Sequence, residues 1–139
     1  MAADFKLVKS YTGGMPTIDV PKASATVIEA GDMIELASGL AIKATATGAK
    51  IAYAPYGAIA GELVVKVLDD RNAIFQGTGD ANFAVAQRGT EVDLVVNTNA
   101  QQIDVGASAT DVFVVDVSGD AGVVGAATNI RVRINKPIY

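Results

Sequence analysis

The chain contains no histidine and no cysteine. The first absence removes the side chain that exchanges protons near neutral pH; the second removes any thiolate nucleophile, disulfide framework or thiolate metal site. Aromatic residues make up only 6% of the sequence, and much of the apolar half is alanine, which contributes little area per residue. Long apolar runs are missing as well. The most apolar stretch, Ile51 to Ala60, is short and interrupted by Pro55 and Gly57, and no transmembrane helix or membrane partner is expected. The opening residues carry Asp4 and neither a basic leader nor a long apolar segment, so they are not expected to act as a secretion signal. Clustered Lys and Arg are lacking, and the net charge is −4, which argues against general nucleic-acid binding.

What remains is a chain of 139 residues, the length of one domain, in which half the residues are apolar and short Val/Ile/Leu/Ala runs alternate with glycine turns. Strands are expected at Ala25–Glu29, Met33–Leu36 and Leu40–Ala46, separated by turns at Gly31-Asp32 and Ser38-Gly39. Residues 51–61 read as a strand into a loop, with a short helical turn as the alternative. Leu63–Leu68 is expected as a strand buried on both faces except at Lys66. Residues 71–90 read as an irregular loop capping one end of a barrel. In Glu91–Val96, Val92, Leu94 and Val96 share one face and the acids take the other. Asp111–Val117 and Ile130–Ile134 complete the pattern, the latter with Arg131 and Arg133 outward. Strands recurring every eight to twelve residues or so predict an all-β fold, a single small β-barrel or β-sandwich of Greek-key or meander type.

The first part of the chain differs. A short alternating run, Phe5-Lys6-Leu7-Val8-Lys9, is followed by Tyr11, Gly13-Gly14, Pro16 and Pro21, which predicts an extended N-terminal arm over residues 1–22 and a body over 23–139. Leu7 and Val8 are placed to add as a strand to the sheet edge of another protein; the alternative is an edge strand of the chain's own domain.

Catalysis finds little support. A serine nucleophile needs a base, and none of Ser10, Ser24, Ser38, Ser108 and Ser118 sits in a Gly-x-Ser-x-Gly elbow. Paired carboxylates remain available for acid–base work, but most acids lie at turns or outward strand positions. Gly77-Thr78-Gly79 reads as a turn rather than a phosphate loop, and Asp116–Asp120 as a turn that lacks the acid closing a calcium loop. No cofactor or metal is expected. Tyr53, Pro55 and Tyr56 suit core filling, a sugar platform or a subunit contact. Charge is uneven: between Asp80 and Asp120 the only cation is Arg88 against seven acids, whereas the last ten residues hold Arg131, Arg133 and Lys136 without an acid. Those two faces are either solvated or complementary between identical subunits.

The short arm, the run Ile28-Glu29-Ala30-Gly31-Asp32-Met33-Ile34-Glu35-Leu36-Ala37-Ser38-Gly39-Leu40-Ala41, the Ala/Gly/Val/Thr-rich body and the closing Ile134-Asn135-Lys136-Pro137 resemble the decoration, or cement, proteins of tailed-bacteriophage heads. The resemblance implies a non-enzymatic structural virion protein on the outer capsid surface, made in the host cytoplasm. It would bind the major capsid protein, self-associate as a homotrimer and stabilise the shell. On that reading Phe5, Lys6, Leu7, Val8, Lys9 and Tyr11 form the capsid-binding arm, and Tyr53, Pro55, Tyr56, Arg131 and Arg133 the subunit interface. The alternative is a phage fibre, spike or carbohydrate-binding β module using Tyr53, Tyr56 and the segment from Arg71 to Arg88.

Overall fold

The computed structural model describes residues 4–126 and 129–139, so residues 1–3 of the expected arm lie outside the described residues. The fold is all-β. Strands β1 (Lys6–Lys9), β7 (Ile74–Thr78), β11 (Asn129–Ile134), β10 (Phe113–Val115), β8 (Glu91–Asn97) and β9 (Ala100–Asp104) form a six-stranded sheet in that spatial order. A three-stranded sheet has the order β4 (Leu40–Lys43), β3 (Asp32–Ala37), β5 (Ala52–Ala54), and β2 (Thr17–Pro21) pairs with β6 (Val64–Leu68). All the ladders are antiparallel. The sheets stay open, so of the two expected closures the chain adopts a small sandwich rather than a barrel.

Two apolar clusters lie on either side of the three-stranded sheet. Met33 and Tyr53 point from one face toward the inner face of the six-stranded sheet, where they meet Phe75, Leu94, Ile103, Phe113, Ile130 and Val132. From the other face Ile34, Ala52 and Ala54 join Val20, Ile28, Ala41, Ala58, Val65 and Val67. Strand side chains alternate between faces, so the small sheet serves both clusters at once. The alanines of the second cluster fill the space beside β2 and β6 with little side-chain bulk.

Several expectations are corrected. The segment 4–22 is extended but does not stand apart from the body. Phe5 is fully buried, its N–H donates to the Gly31 carbonyl at 3.0 Å, and its ring lies 5.4 Å from that of Phe113. β1 pairs with β7 at the sheet edge, and β2 pairs with β6 along its whole length. The irregular loop expected over residues 71–90 contains β7, a strand flanked on both sides by partners; glycine at position 77 obscures it in the sequence. That glycine is a packing requirement, because a Cβ there would run into the Phe5 ring. Gly77 and Thr78 are therefore strand residues, not the turn expected at Gly77-Thr78-Gly79.

The strand expected at Ala25–Glu29 is reduced to a single bridge between Ile28 and Ala58. The preceding backbone wraps the buried Lys22 ammonium, which donates to the carbonyls of Ala23, Ser24 and Thr26 at 2.8, 3.4 and 2.5 Å. Those carbonyls serve as acceptors for a charge instead of a ladder. β6 alternates rather than being buried on both faces: Val65 and Val67 point inward, whereas Val64 and Lys66 point outward. β8 does carry its acids opposite Val92 and Leu94, but Asp93 is buried and Val96 is exposed. The turns at Ser38-Gly39 and Thr98-Asn99 form as two-residue connections with positive φ at both positions, whose twist suits a hairpin.

Phe5→Ala is expected to destabilise the protein by about 3–5 kcal/mol, the usual cost of removing a buried phenyl ring. Gly77→Ala is expected to destabilise the wild type but to cost less in the Phe5→Ala background, where the obstructing ring is gone. A double-mutant cycle by urea unfolding checks this, and additive effects would show that ring and glycine are not coupled.

Candidate functional site

Two exposed surfaces bring together side chains able to bind a partner. The first lies where residues 24–28 run beside residues 58–61. Ile28 and Ala58 exchange both backbone hydrogen bonds, at 2.9 and 2.8 Å, and point inward. Their neighbours Val27 and Ile59 therefore point outward together, and Ile59 is 66% exposed. Leu63, also 66% exposed, and Val64 follow along the chain at the start of β6. Next to it, Tyr56, Gly57, Val64, Asp19, Glu62 and Lys66 line an open cleft of about 460 Å³. Lys66 and Asp19 form a 2.8 Å ion pair at its wall, exposed enough to contribute little stability.

The second surface is on the outer face of the six-stranded sheet. The register aligns Lys9 with Ile74 and Ile74 with Arg133 in one cross-strand row, and Lys6, Gln76 and Arg131 in another. The result is a band of four cations across β1, β7 and β11. A cleft of about 340 Å³ opens over it, lined by Val8, Lys9, Tyr11, Arg131 and Arg133 together with Val117, Ser118 and other residues of the 116–120 turn. Lys9 Nζ lies 4.7 Å and the Arg133 guanidinium 5.4 Å from the centre of the Tyr11 ring.

The loop carrying Tyr11 is fixed by the buried Asp70 carboxylate, which accepts from Ser10 Oγ and the Tyr11 N–H, both at 2.8 Å, and from the Asn72 N–H at 2.9 Å. Burial alone would raise the Asp70 pKa, but these donors outweigh it and hold the carboxyl below its ordinary range. Asp93 behaves in the same way: burial pushes it up, and the N–H groups of Asp111, Ala109 and Thr110 bring it below the ordinary value. Asp104 is the opposite case. Burial first, then the neighbouring Asp80 and Asp93 carboxylates, raises its pKa.

The residues expected as two sites are thus redistributed. Lys9 and Tyr11, expected to act in a capsid-binding arm, stand beside Arg131 and Arg133, expected at a subunit interface. Phe5 and Leu7 pack in or against the core, and Lys6 and Val8 stay at the sheet edge. Tyr53 is 6% exposed, with its ring 4.7 Å from that of Phe75, so it is a core residue and is withdrawn from the interface reading. Pro55 is half-buried and Tyr56 is 50% exposed. In the 116–120 turn both Asp116 oxygens are occupied locally, by the Val117 N–H and Ser118 Oγ. Sequence reasoning missed Val27 and Ile59, because the sense in which they point is set by a single bridge between distant loops. Among the described residues no group of three or more Asp and Glu is arranged to hold a metal ion, and no helix is long and apolar enough to cross a membrane. Comparison of the chain with protein-family models, curated proteins and solved structures finds no match.

The carboxylates predict opposite responses to pH. Asp70 and Asp93 titrate lower in the folded state than in the unfolded chain, so their stabilisation is present above the unfolded carboxylate range and is lost as pH falls through their folded values. Asp104 titrates higher when folded; its contribution is fullest at low pH and is lost as pH rises through its folded value. Asp104→Asn is therefore expected to raise the melting temperature at neutral pH and to lose that advantage in acid, whereas Asp93→Asn lowers it at neutral pH. Thermal unfolding at several pH values checks both signs.

Proposed function

We propose that the protein is a non-catalytic structural component that binds a protein surface, and that it serves as a decoration protein on the outside of a tailed-phage capsid. The observation that carries this reading is the exposure of large aliphatic side chains on the loops beside β6: Val27 and Ile59, turned outward together by the Ile28–Ala58 bridge, and Leu63, which is 66% exposed. Apolar surface of that kind is stabilised when another protein covers it. The resemblance in the sequence supplies the identity of that protein, a major capsid protein, and the expectation of a homotrimer at the binding position. Multiple subunits contacting one shell would convert modest individual contacts into firm attachment.

A second reading is favoured by Tyr56, which is 50% exposed at the rim of the cleft containing Asp19, Glu62 and Lys66. An aromatic face beside polar groups is an arrangement that accepts a sugar ring, as in a fibre or spike module.

Co-sedimentation with DNA-free heads of the phage that carries the gene tests the first reading. The wild type is expected to pellet with the heads, and Ile59→Glu with Leu63→Glu to reduce occupancy by at least about tenfold, since full burial of each side chain is worth roughly 1.5–3 kcal/mol. Both positions are exposed, so the melting temperature should change little. A wild-type protein that stays in the supernatant, or a double variant that pellets undiminished, would overturn the proposal; glycan binding abolished by Tyr56→Ala would establish the second reading in its place.

A further inference from the structure

The cleft over β1, β7 and β11 is separate from the apolar surface, and we infer that it is a docking site for an acidic peptide segment of a partner protein, one in which carboxylates alternate with aliphatic side chains. The first argument is charge. Among the described residues neither Lys9 nor Arg133 has a carboxylate partner, and Arg131 has a 3.5 Å contact with Asp120, whose side chain is 78% exposed and free to swing away. Asp116, a buried acid in the cleft wall, has both oxygens engaged by its own turn and forms no ion pair with these cations. In a chain of net charge −4, a local excess of positive charge is a feature of this face and not of the average surface.

The second argument is preorganisation. Arg133 donates to the Asn72 carbonyl at 3.2 Å and lies over the ring of Tyr11, whose backbone N–H donates to the Asp70 carboxylate. A guanidinium already fixed between a carbonyl and an aromatic ring loses little freedom on meeting a carboxylate. The third argument selects a peptide over a denser polyanion. Val8, Ile74 and Val117 line the same cleft, and Asp116 and Asp120 stand in its wall. Apolar lining offers nothing to a phosphodiester backbone, and the wall acids lower the net positive charge that a dense polyanion needs, whereas a segment with fewer, spaced carboxylates between aliphatic side chains matches both the cations and the lining.

The inference stands independently of the capsid reading and is tested without phage heads. Fluorescence anisotropy is measured on the intact chain with a labelled short peptide alternating glutamate and leucine, its glutamine–leucine counterpart and a short DNA duplex. The glutamate peptide is expected to bind at low salt, to weaken as salt is raised, and to bind more tightly than either comparison probe. Arg133→Gln is expected to weaken it by about fivefold or more, and Lys66→Gln, on the other surface, to leave it unchanged. Lys9→Gln, an exposed edge substitution, gives the same reading should the Arg133 variant fail to fold. Equal binding of the glutamine peptide, stronger binding of the duplex, no binding of the glutamate peptide, or an equal loss in Lys66→Gln would each overturn the proposal.

Discussion

The contact on which most of the architecture depends is the Phe5 ring lying against the bare backbone of Gly77. The six-stranded sheet can accept an aromatic ring from the chain's first segment only because β7 presents no side chain there. Once seated, Phe5 completes the inner cluster, and the residues after it are held in register on β7. Lys6 and Lys9 then face outward in line with Arg131 and Arg133, and Tyr11 reaches the Asp70 carboxylate. A single glycine thus links the interior to the chemistry of the opposite sheet face. The same geometry limits strand addition at β1: the strand has four residues, a register shift between Leu7 and Lys9 and a lysine at each end, features that blunt an edge.

The three-stranded sheet sets the second constraint. Because it serves clusters on both faces, its backbone around Met33 and along β5 is buried, and the polar groups there must find partners. Gln101 supplies them from β9. Its amide accepts from the Met33 N–H at 2.8 Å and donates to the carbonyls of Met33 and Ala44 at 2.8 and 3.0 Å. A side chain whose sequence position suggests solvent is therefore fully buried, and it ties the large sheet to the small one. The alanines on the other face bear on the composition. They raise the apolar fraction of the sequence without requiring a large interior, and the larger aliphatic residues between Tyr56 and Val64 are left at the surface.

Legibility in the sequence follows the same physics. β3, β4, β6 and β11 were readable because alternation and turn residues are local signals, and Ile130–Ile134 buries one face as its pattern predicts. β7 was not, since Gly77 reads as a break until the ring that needs the space is known. β9 was not, since Gln101 and Gln102 look like loop residues until Met33 is seen across from them. The segment at Ala25–Glu29 has strand composition, yet Lys22 diverts its carbonyls. For the candidate sites, the residue types were identifiable but their grouping was not: Lys9 and Tyr11 lie more than a hundred residues from Arg131, and only the order β1-β7-β11 makes them neighbours.

The two surfaces differ in the force available to them, and this separates their roles. Covering Ile59 and Leu63 removes aliphatic area from water, a gain that persists at high salt and has little directional demand. On the proposed reading the Lys9–Arg133 cleft would act through charge, which salt screens and which selects by sign, so its contribution would lie in orientation and encounter more than in holding strength. A partner meeting both would be steered by one and retained by the other. Since the cations ride on the six-stranded sheet and the aliphatic patch on the loops beside β6, the intervening sheets fix the spacing between them. Simultaneous engagement then depends on the partner's geometry rather than on any rearrangement within this chain.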